Sequence, residues 1–134
     1  MNSRRLLAII LFLFNGLFTA CSQTKTTYQK LNEAAIKINK TMPQILDEYS
    51  EVDSLKAIYP DTLQYYCKIL HVNKTPESLS RLKQILESRM LNTVKTDPVF
   101  QPYRANKVKI VYIYHDERNV VLFSIFLTPD KYLN

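Results

Sequence analysis

The chain has 134 residues, which is the size of one domain and excludes multidomain architectures. Its composition, 46% hydrophobic and 22% charged, excludes global disorder. The single glycine, Gly16, lies in an N-terminal apolar stretch, so the rest of the chain cannot contain a glycine-rich phosphate-binding loop.

Residues 1–20 have the layout of a secretory signal peptide. Arg4 and Arg5 precede an apolar run over residues 6–18, and this run is shorter than the ~20 apolar residues that a membrane-spanning helix needs. A cleaved signal is therefore favoured over a permanent transmembrane helix. The segment Ser3-Arg4-Arg5-Leu6-Leu7 also has the outline of a twin-arginine signal, although two arginines before an apolar run are common in general secretory signals.

The end of this run, Leu17-Phe18-Thr19-Ala20-Cys21, resembles the lipobox of bacterial lipoproteins. The resemblance implies that Cys21 is acylated and becomes the mature N-terminus, so that residues 21–26 form a lipid-anchored tether. The following residue is Ser22, and the resemblance implies sorting to the outer membrane, facing the periplasm. The alternative is a plain secretory peptide with Cys21 unmodified.

Charge and cysteine content limit the partners of the exported part. Without Arg4 and Arg5 the formal net charge falls from +6 to about +4, and the lysines are scattered without a basic stripe, which argues against nucleic acid. Cys67 is the only other cysteine. Strand alternation places it beside Leu63 and Ile69, so a buried core cysteine is favoured over a nucleophile.

The first half of the domain starts with a predicted helix over residues 27–41, because Thr26 and Gln29 have capping-box spacing and apolar residues then recur at helical intervals. Pro43 prevents a regular continuation. The stretch 44–59 has mixed periodicity that suits a strand or a short helix. A turn at Tyr59-Pro60-Asp61-Thr62 then leads into a strand from Leu63 to Val72.

The second half starts with a predicted helix over residues 76–95, with Thr75 as N-cap and Pro76 at its first position. One side of this helix carries an apolar stripe, with Ile85 beside it, that consists of Leu79, Leu82, Leu86, Met90 and Val94. An irregular connection follows Asp97-Pro98. Two branched and aromatic runs, Val108 to Tyr114 and Val120 to Leu127, flank a loop and predict a hairpin. The last run is apolar on both faces, which predicts a strand in the sheet interior or under two layers.

Together these elements predict a single α+β domain over residues 27–134. Its order is α-β-β-α-β-β, with two helices packed on one face of a three- or four-stranded antiparallel sheet.

The sequence offers little catalytic chemistry. His71 and His115 are the only histidines, and no zinc-type ligand spacing exists, so we predict no metal, no cofactor and no enzymatic activity. The cluster His115-Asp116-Glu117 is typical of a solvated turn. Tyrosines are abundant: Tyr112 and Tyr114 share one face of a strand, and these two with Tyr65 and Tyr66 form a possible binding surface.

Several short segments resemble a loose pattern found in small uncharacterised exported bacterial proteins: Asn39-Lys40-Thr41-Met42-Pro43, Tyr65-Tyr66, Thr96-Asp97-Pro98, Val111-Tyr112-Ile113-Tyr114 and Thr128-Pro129-Asp130. The resemblance implies a glycine in the final hairpin, where this chain has Asn119, and cysteines near Lys95 and Tyr132. It implies no activity.

The expected function is a membrane-anchored, non-enzymatic envelope lipoprotein that binds another envelope protein as an interaction or accessory module. The alternative is a periplasmic carrier or sensor of a small apolar ligand, which would need a preformed apolar pocket. A small hydrolase is a third hypothesis.

Overall fold

The computed structural model describes residues 23–134. The predicted signal peptide and Cys21 lie outside the described residues. The elements follow in the order α1 (Thr27–Asn39), β1 (Gln44–Asp47), β2 (Ser50–Ile58), β3 (Thr62–Ile69), α2 (Pro76–Thr96), a 3₁₀ turn (Pro98–Phe100), α3 (Gln101–Ala105), β4 (Lys109–His115), β5 (Val121–Leu127) and α4 (Pro129–Tyr132).

The five strands form one mixed sheet in the order β1-β2-β3-β4-β5. Strands β1, β2 and β3 are antiparallel, as are β4 and β5. Strand β3 runs parallel to β4, with Leu63 opposite Ile110 and Cys67 opposite Tyr114. The predicted α+β class is confirmed, but the predicted order α-β-β-α-β-β, with two helices and an antiparallel sheet of three or four strands, is wrong. The described residues form four α-helices and a mixed sheet of five strands. Helix α2 joins β3 to β4, and a crossover of this kind brings the chain back to start a parallel strand.

Both long helices begin where their caps predict. At α1 the Thr26 hydroxyl accepts a hydrogen bond from the Gln29 amide (3.2 Å) and the Gln29 side chain accepts one from the Thr26 amide (2.8 Å). At α2 the Thr75 hydroxyl accepts from the Ser78 amide at 3.3 Å. Helix α2 ends at Thr96 because the next residue, Asp97, precedes a proline and is extended.

One face of the sheet carries the hydrophobic core, and we call it the covered face. Side chains alternate between the two faces along each strand, so every second residue points toward the core. A bulge between Val52 and Ser54 shifts this alternation and keeps both Val52 and Leu55 on the covered face. Leu31 and Ala35 of α1 and Val94 of α2 belong to the same buried cluster. The two long helices therefore pack on one face, as predicted. The sheet residues of this cluster are Val52, Leu55, Ala57, Leu63, Cys67, Ile69, Ile110, Tyr112, Tyr114, Ile125 and Leu127.

Four regions differ from the sequence-based expectation, and one of them is the short C-terminal helix α4, which was not predicted. The ambiguous stretch 44–59 forms two strands, and the connection after Asp97 contains the 3₁₀ turn and α3. Strand β5, predicted in the sheet interior, lies at an edge. Its second apolar side faces outward, where Phe126 is 56% exposed and lies opposite Val111 on β4. Across residues 23–134 no helix combines the length and apolarity required to cross a membrane.

Candidate functional site

A cavity of about 380 Å³ lies between α2 and the covered face, and we call it the groove. Its volume falls within the range of small-ligand sites. Cys67, Tyr112 and Tyr114 contribute to the sheet side. The α2 wall consists of Leu82, Ile85, Leu86, Arg89 and Met90, and the β1–β2 side consists of Leu46, Asp47, Tyr49, Ser50 and Val52.

The mouth of the groove is apolar and open to solvent. Leu46, Tyr49 and Ile85 all line it, and each is at least half exposed. Exposed apolar side chains that border an apolar cavity are typical of binding sites. The sequence signal for this mouth is weak, because Ile85 lies beside the apolar stripe of α2 and the other two belong to the stretch of mixed periodicity.

Three of the four tyrosines predicted as a binding surface lie together. The Tyr65 and Tyr112 rings stack with centroids 4.8 Å apart, and Tyr112 and Tyr114 are 6.4 Å apart. Burial raises the pKa of all three hydroxyls above the ordinary tyrosine value, so they stay neutral. Tyr66 points to the opposite face, where its hydroxyl donates to the Gln64 side-chain oxygen at 3.0 Å. A binding role for these tyrosines stays a prediction.

Cys67 is a core residue of the groove wall. Its side chain is buried, and burial raises its pKa to about 12. A thiol with so high a pKa has almost no thiolate at neutral pH and is a poor nucleophile. The prediction of a buried core cysteine is confirmed.

Charged groups flank the apolar mouth. The Asp47 carboxylate accepts hydrogen bonds from the Tyr49 amide (2.8 Å) and the Ser50 hydroxyl (2.9 Å). These bonds, assisted by the charge of Arg89, lower the pKa of Asp47. The groove therefore presents an anion from the β1–β2 turn and a cation from α2 around an apolar floor.

The cluster at the β4–β5 loop is not the solvated turn predicted from the sequence. His115 and Asp116 are buried. His115 Nε2 lies 2.8 Å from an Asp53 carboxylate oxygen, and Nδ1 lies 3.0 Å from the Asp116 carbonyl oxygen. Both ring nitrogens therefore lie against protein oxygens. Asp116 in turn forms an ion pair with Lys74.

Charged residues of β2 and β3 also form ion pairs with one another. Lys68 Nζ lies 2.6 Å from Glu51 Oε1 and 3.4 Å from Asp53 Oδ1. Its hydrogen bond to Glu51 raises the pKa of Lys68. His71 is exposed, with Nδ1 3.6 Å from Glu117 Oε1. Within residues 23–134 no group of three or more His, Cys, Asp or Glu side chains is placed to hold a metal ion.

Residues 25–123 match the family described as "Domain of unknown function (DUF8479)". The chain belongs to this family. No curated protein matches the chain in sequence.

Solved structures share the fold at low sequence identity. A pilotin, EpsS, from the Vibrio vulnificus type 2 secretion system has a TM-score of 0.63 at 10% identity, over 78% of this chain and 90% of its own. The type II secretion system pilotin AspS from Vibrio cholerae has a TM-score of 0.59 at 9% identity, over 78% and 91%. A protein from Pseudomonas aeruginosa described as secreted has a TM-score of 0.59 at 10% identity, over 81% and 97%.

Proposed function

We propose that this protein is a lipid-anchored, non-enzymatic accessory protein of the bacterial envelope, located at the outer membrane and facing the periplasm. In this role it holds an apolar segment of another envelope protein in the groove. The observation that carries the proposal is the groove itself, an apolar cavity with a solvent-exposed apolar mouth. The fold shared with two pilotins of type 2 secretion systems supports an accessory role.

The shape and chemistry of the groove favour a protein segment. Leu46, Tyr49 and Ile85 extend the apolar surface from the cavity to the outside of the domain. A segment that inserted one or two apolar side chains would cover these residues as well, and central apolar anchors of this kind dominate most interfaces. Arg89 and Asp47 at the mouth would fix its orientation through polar contacts.

The proposal predicts that Ile85→Glu abolishes partner binding while the domain stays folded, because Ile85 is half exposed and a carboxylate at the mouth would oppose apolar insertion. The measurement is affinity capture of the tagged protein from gently solubilised envelopes. We expect a near-stoichiometric partner with the wild type and at least tenfold less with Ile85→Glu.

Ile36→Glu is the matched control, since Ile36 is an exposed helical isoleucine of α1 that does not line the groove. It should retain the partner. Equal capture by both variants would place the interface elsewhere. Absence of any stoichiometric partner in all samples would favour the carrier function below.

The lipid anchor has a separate test. Cys21→Ser should abolish acyl labelling and release the protein from membranes, because several acyl chains buried at ~0.8 kcal/mol per methylene are what hold it there. Cys67→Ala is the control and should leave labelling unchanged. Acyl labelling that persists in Cys21→Ser would contradict the anchor, whatever the outcome at the groove.

A carrier or sensor of a small apolar ligand is the second candidate function. The cavity volume of about 380 Å³ and the largely apolar lining favour it. Native mass spectrometry of protein purified from envelopes should then detect a bound lipophilic molecule, and Met90→Trp, which narrows the cavity, should remove it. Protein of the unliganded mass in every preparation would argue against this function.

A further inference from the structure

A second, smaller cavity of about 210 Å³ lies at the opposite end of the domain from the groove. Its lining is mostly apolar and comes from α1, through Leu31 and Ala34, and from the connection before β4, through Val99, Tyr103 and Val108. Val99 is 71% exposed, so an apolar side chain stands uncovered at its rim. We call this cavity the α1 pocket.

The N-terminal tether enters the domain at this pocket. Thr27, the first residue of α1, is one of the lining residues. The capping box of Thr26 and Gln29 fixes where the helix starts. Lys25 Nζ also pairs with Glu33 Oε2 at 2.7 Å, so the end of the tether contacts α1.

Cys21 is close enough in sequence for its substituents to reach the pocket. The six residue-to-residue steps from Cys21 to Thr27 span at most ~20 Å at ~3.4 Å per step. Because Thr27 itself borders the pocket, the tether does not need to be stretched. An acyl chain attached to the Cys21 side chain or amine can therefore fold back onto α1.

We propose that the α1 pocket holds part of one acyl chain carried by Cys21; this rests on the lipid anchor in the proposed function. Such a chain has the apolar chemistry of the lining, and its point of attachment lies within reach. A water-sized group takes ~30 Å³, and a methylene group is of similar size. The pocket therefore has room for about seven methylene groups, which is part of one acyl chain. The remaining chains stay in the bilayer, and the domain is held against the membrane by its α1 end.

The test is photocrosslinking within the acylated full-length protein. Cells are supplied with a fatty acid that carries a diazirine near the middle of its chain, and the lipoprotein is purified, irradiated and mapped by mass spectrometry. We expect intramolecular adducts on the peptides that contain Ala34, Val99 or Tyr103. Adducts restricted to phospholipid, to other proteins or to the groove would overturn the proposal.

Two variants on the same helix separate a specific pocket from general proximity. Ala34→Phe fills the pocket and should lower the internal adduct at least fivefold, while Ile36→Phe, on the exposed side, should leave it unchanged. Methyl NMR spectra of each variant verify folding. If both variants are folded, an equal loss of the internal adduct in both, or no loss in either, overturns the proposal.

The intact mass separates this proposal from the anchor on which it rests. An acylated protein without internal adducts removes the pocket assignment and leaves the anchor and the groove intact. A protein without acyl groups removes the anchor and the pocket together.

Discussion

Asp116 shows how a single carboxylate organises the loop between β4 and β5. One of its oxygens accepts hydrogen bonds from the Arg118 amide (2.8 Å) and the Val120 amide (2.9 Å), and the other pairs with Lys74. The hydrogen bond from Lys74 is the largest contribution that lowers the pKa of Asp116 from 3.8 to about 2. The folded state therefore favours the charged carboxylate more strongly than the unfolded state does.

Asp116→Asn should lower the stability of the domain in a pH-dependent way. Because the folded pKa of Asp116 is depressed, its stabilising contribution is fully present above about pH 4 and disappears as the pH falls through about 2. Urea unfolding should show a lower midpoint for the variant at pH 7, and the difference from the wild type should shrink as the pH falls.

Glu48→Gln is the control, because Glu48 is an exposed acid on the β1–β2 turn. Its effect should be small at all pH values. A gap between wild type and Asp116→Asn that stays constant from pH 7 to pH 2 would contradict this role for the charge.

Backbone conformation at Asn119 illustrates what the sequence can suggest at single positions. The resemblance to exported proteins implies a glycine there, and Asn119 has a φ of 61°, a region that favours glycine and tolerates asparagine. By contrast, the burial of His115 and Asp116 could not be predicted from the residues next to them in the sequence. It depends on Asp53 of β2 and Lys74 of the β3–α2 loop, which are far away in the sequence.

At the scale of elements, α2 is the helix whose bounds the sequence predicted most closely. The predicted range, residues 76–95, differs by one residue from the observed helix, Pro76–Thr96. Its start was predictable because Thr75, Pro76 and Glu77 each favour a helix N-terminus for a different physical reason. Its stripe of apolar residues also identified the side that packs on the sheet.

Val94→Ala tests how strongly α2 is held to the core. Val94 is fully buried, and removing two carbon atoms there should lower the free energy of unfolding by about 2 kcal/mol, through lost burial and a residual cavity. Denaturant unfolding of Ile36→Ala, which shortens an exposed residue of α1, is the comparison and should change little. Similar values for both variants would show that α2 packs loosely at its C-terminal end.

The strands show the limits of local patterns more clearly than the helices do. Alternation predicted which side of β3 and β4 faces inward, because that depends only on the residues of each strand. It could not identify their neighbours, since pairing is decided by how α2 crosses the sheet. Strand β5 is apolar on both faces, which suggested a central strand. Its outward-facing residues instead cover Val111 of β4 on the sheet face opposite the covered face.

At the scale of the whole molecule, the start of α1 and the groove lie at opposite ends of the sheet. One end holds Ile58, Thr62 and Lys109, and α1 starts there, with the Tyr28 ring 5.9 Å from that of Tyr59. The groove is lined by residues near the other end, such as Ser50 and Ile69. At ~3.3 Å per residue, strands of this length separate the two ends by ~20 Å. An anchored domain would present the groove away from the bilayer.

This arrangement predicts the orientation of the anchored protein in lipid nanodiscs. With nitroxide labels on the lipid headgroups, amide signals of Asn106 and Lys107 should be broadened strongly, and those of Glu48 and Asn119 weakly. The soluble Cys21→Ser protein should show no such gradient. Equal broadening at both ends in the acylated protein would mean that the domain tumbles freely on its tether.

The parallel pairing of β3 and β4 also determines when the sheet can be completed. Closing this pair requires a loop of about 40 residues, so it is slow compared with the neighbouring hairpins. In a chain that enters the periplasm N-terminus first, the β1-β2-β3 meander emerges well before β4. Until β4 arrives, one edge of β3 has no partner, and such an edge can pair with another chain. Under the proposed export, aggregation through this edge would be a hazard, and the speed with which α2 carries β4 into place would determine how long it lasts.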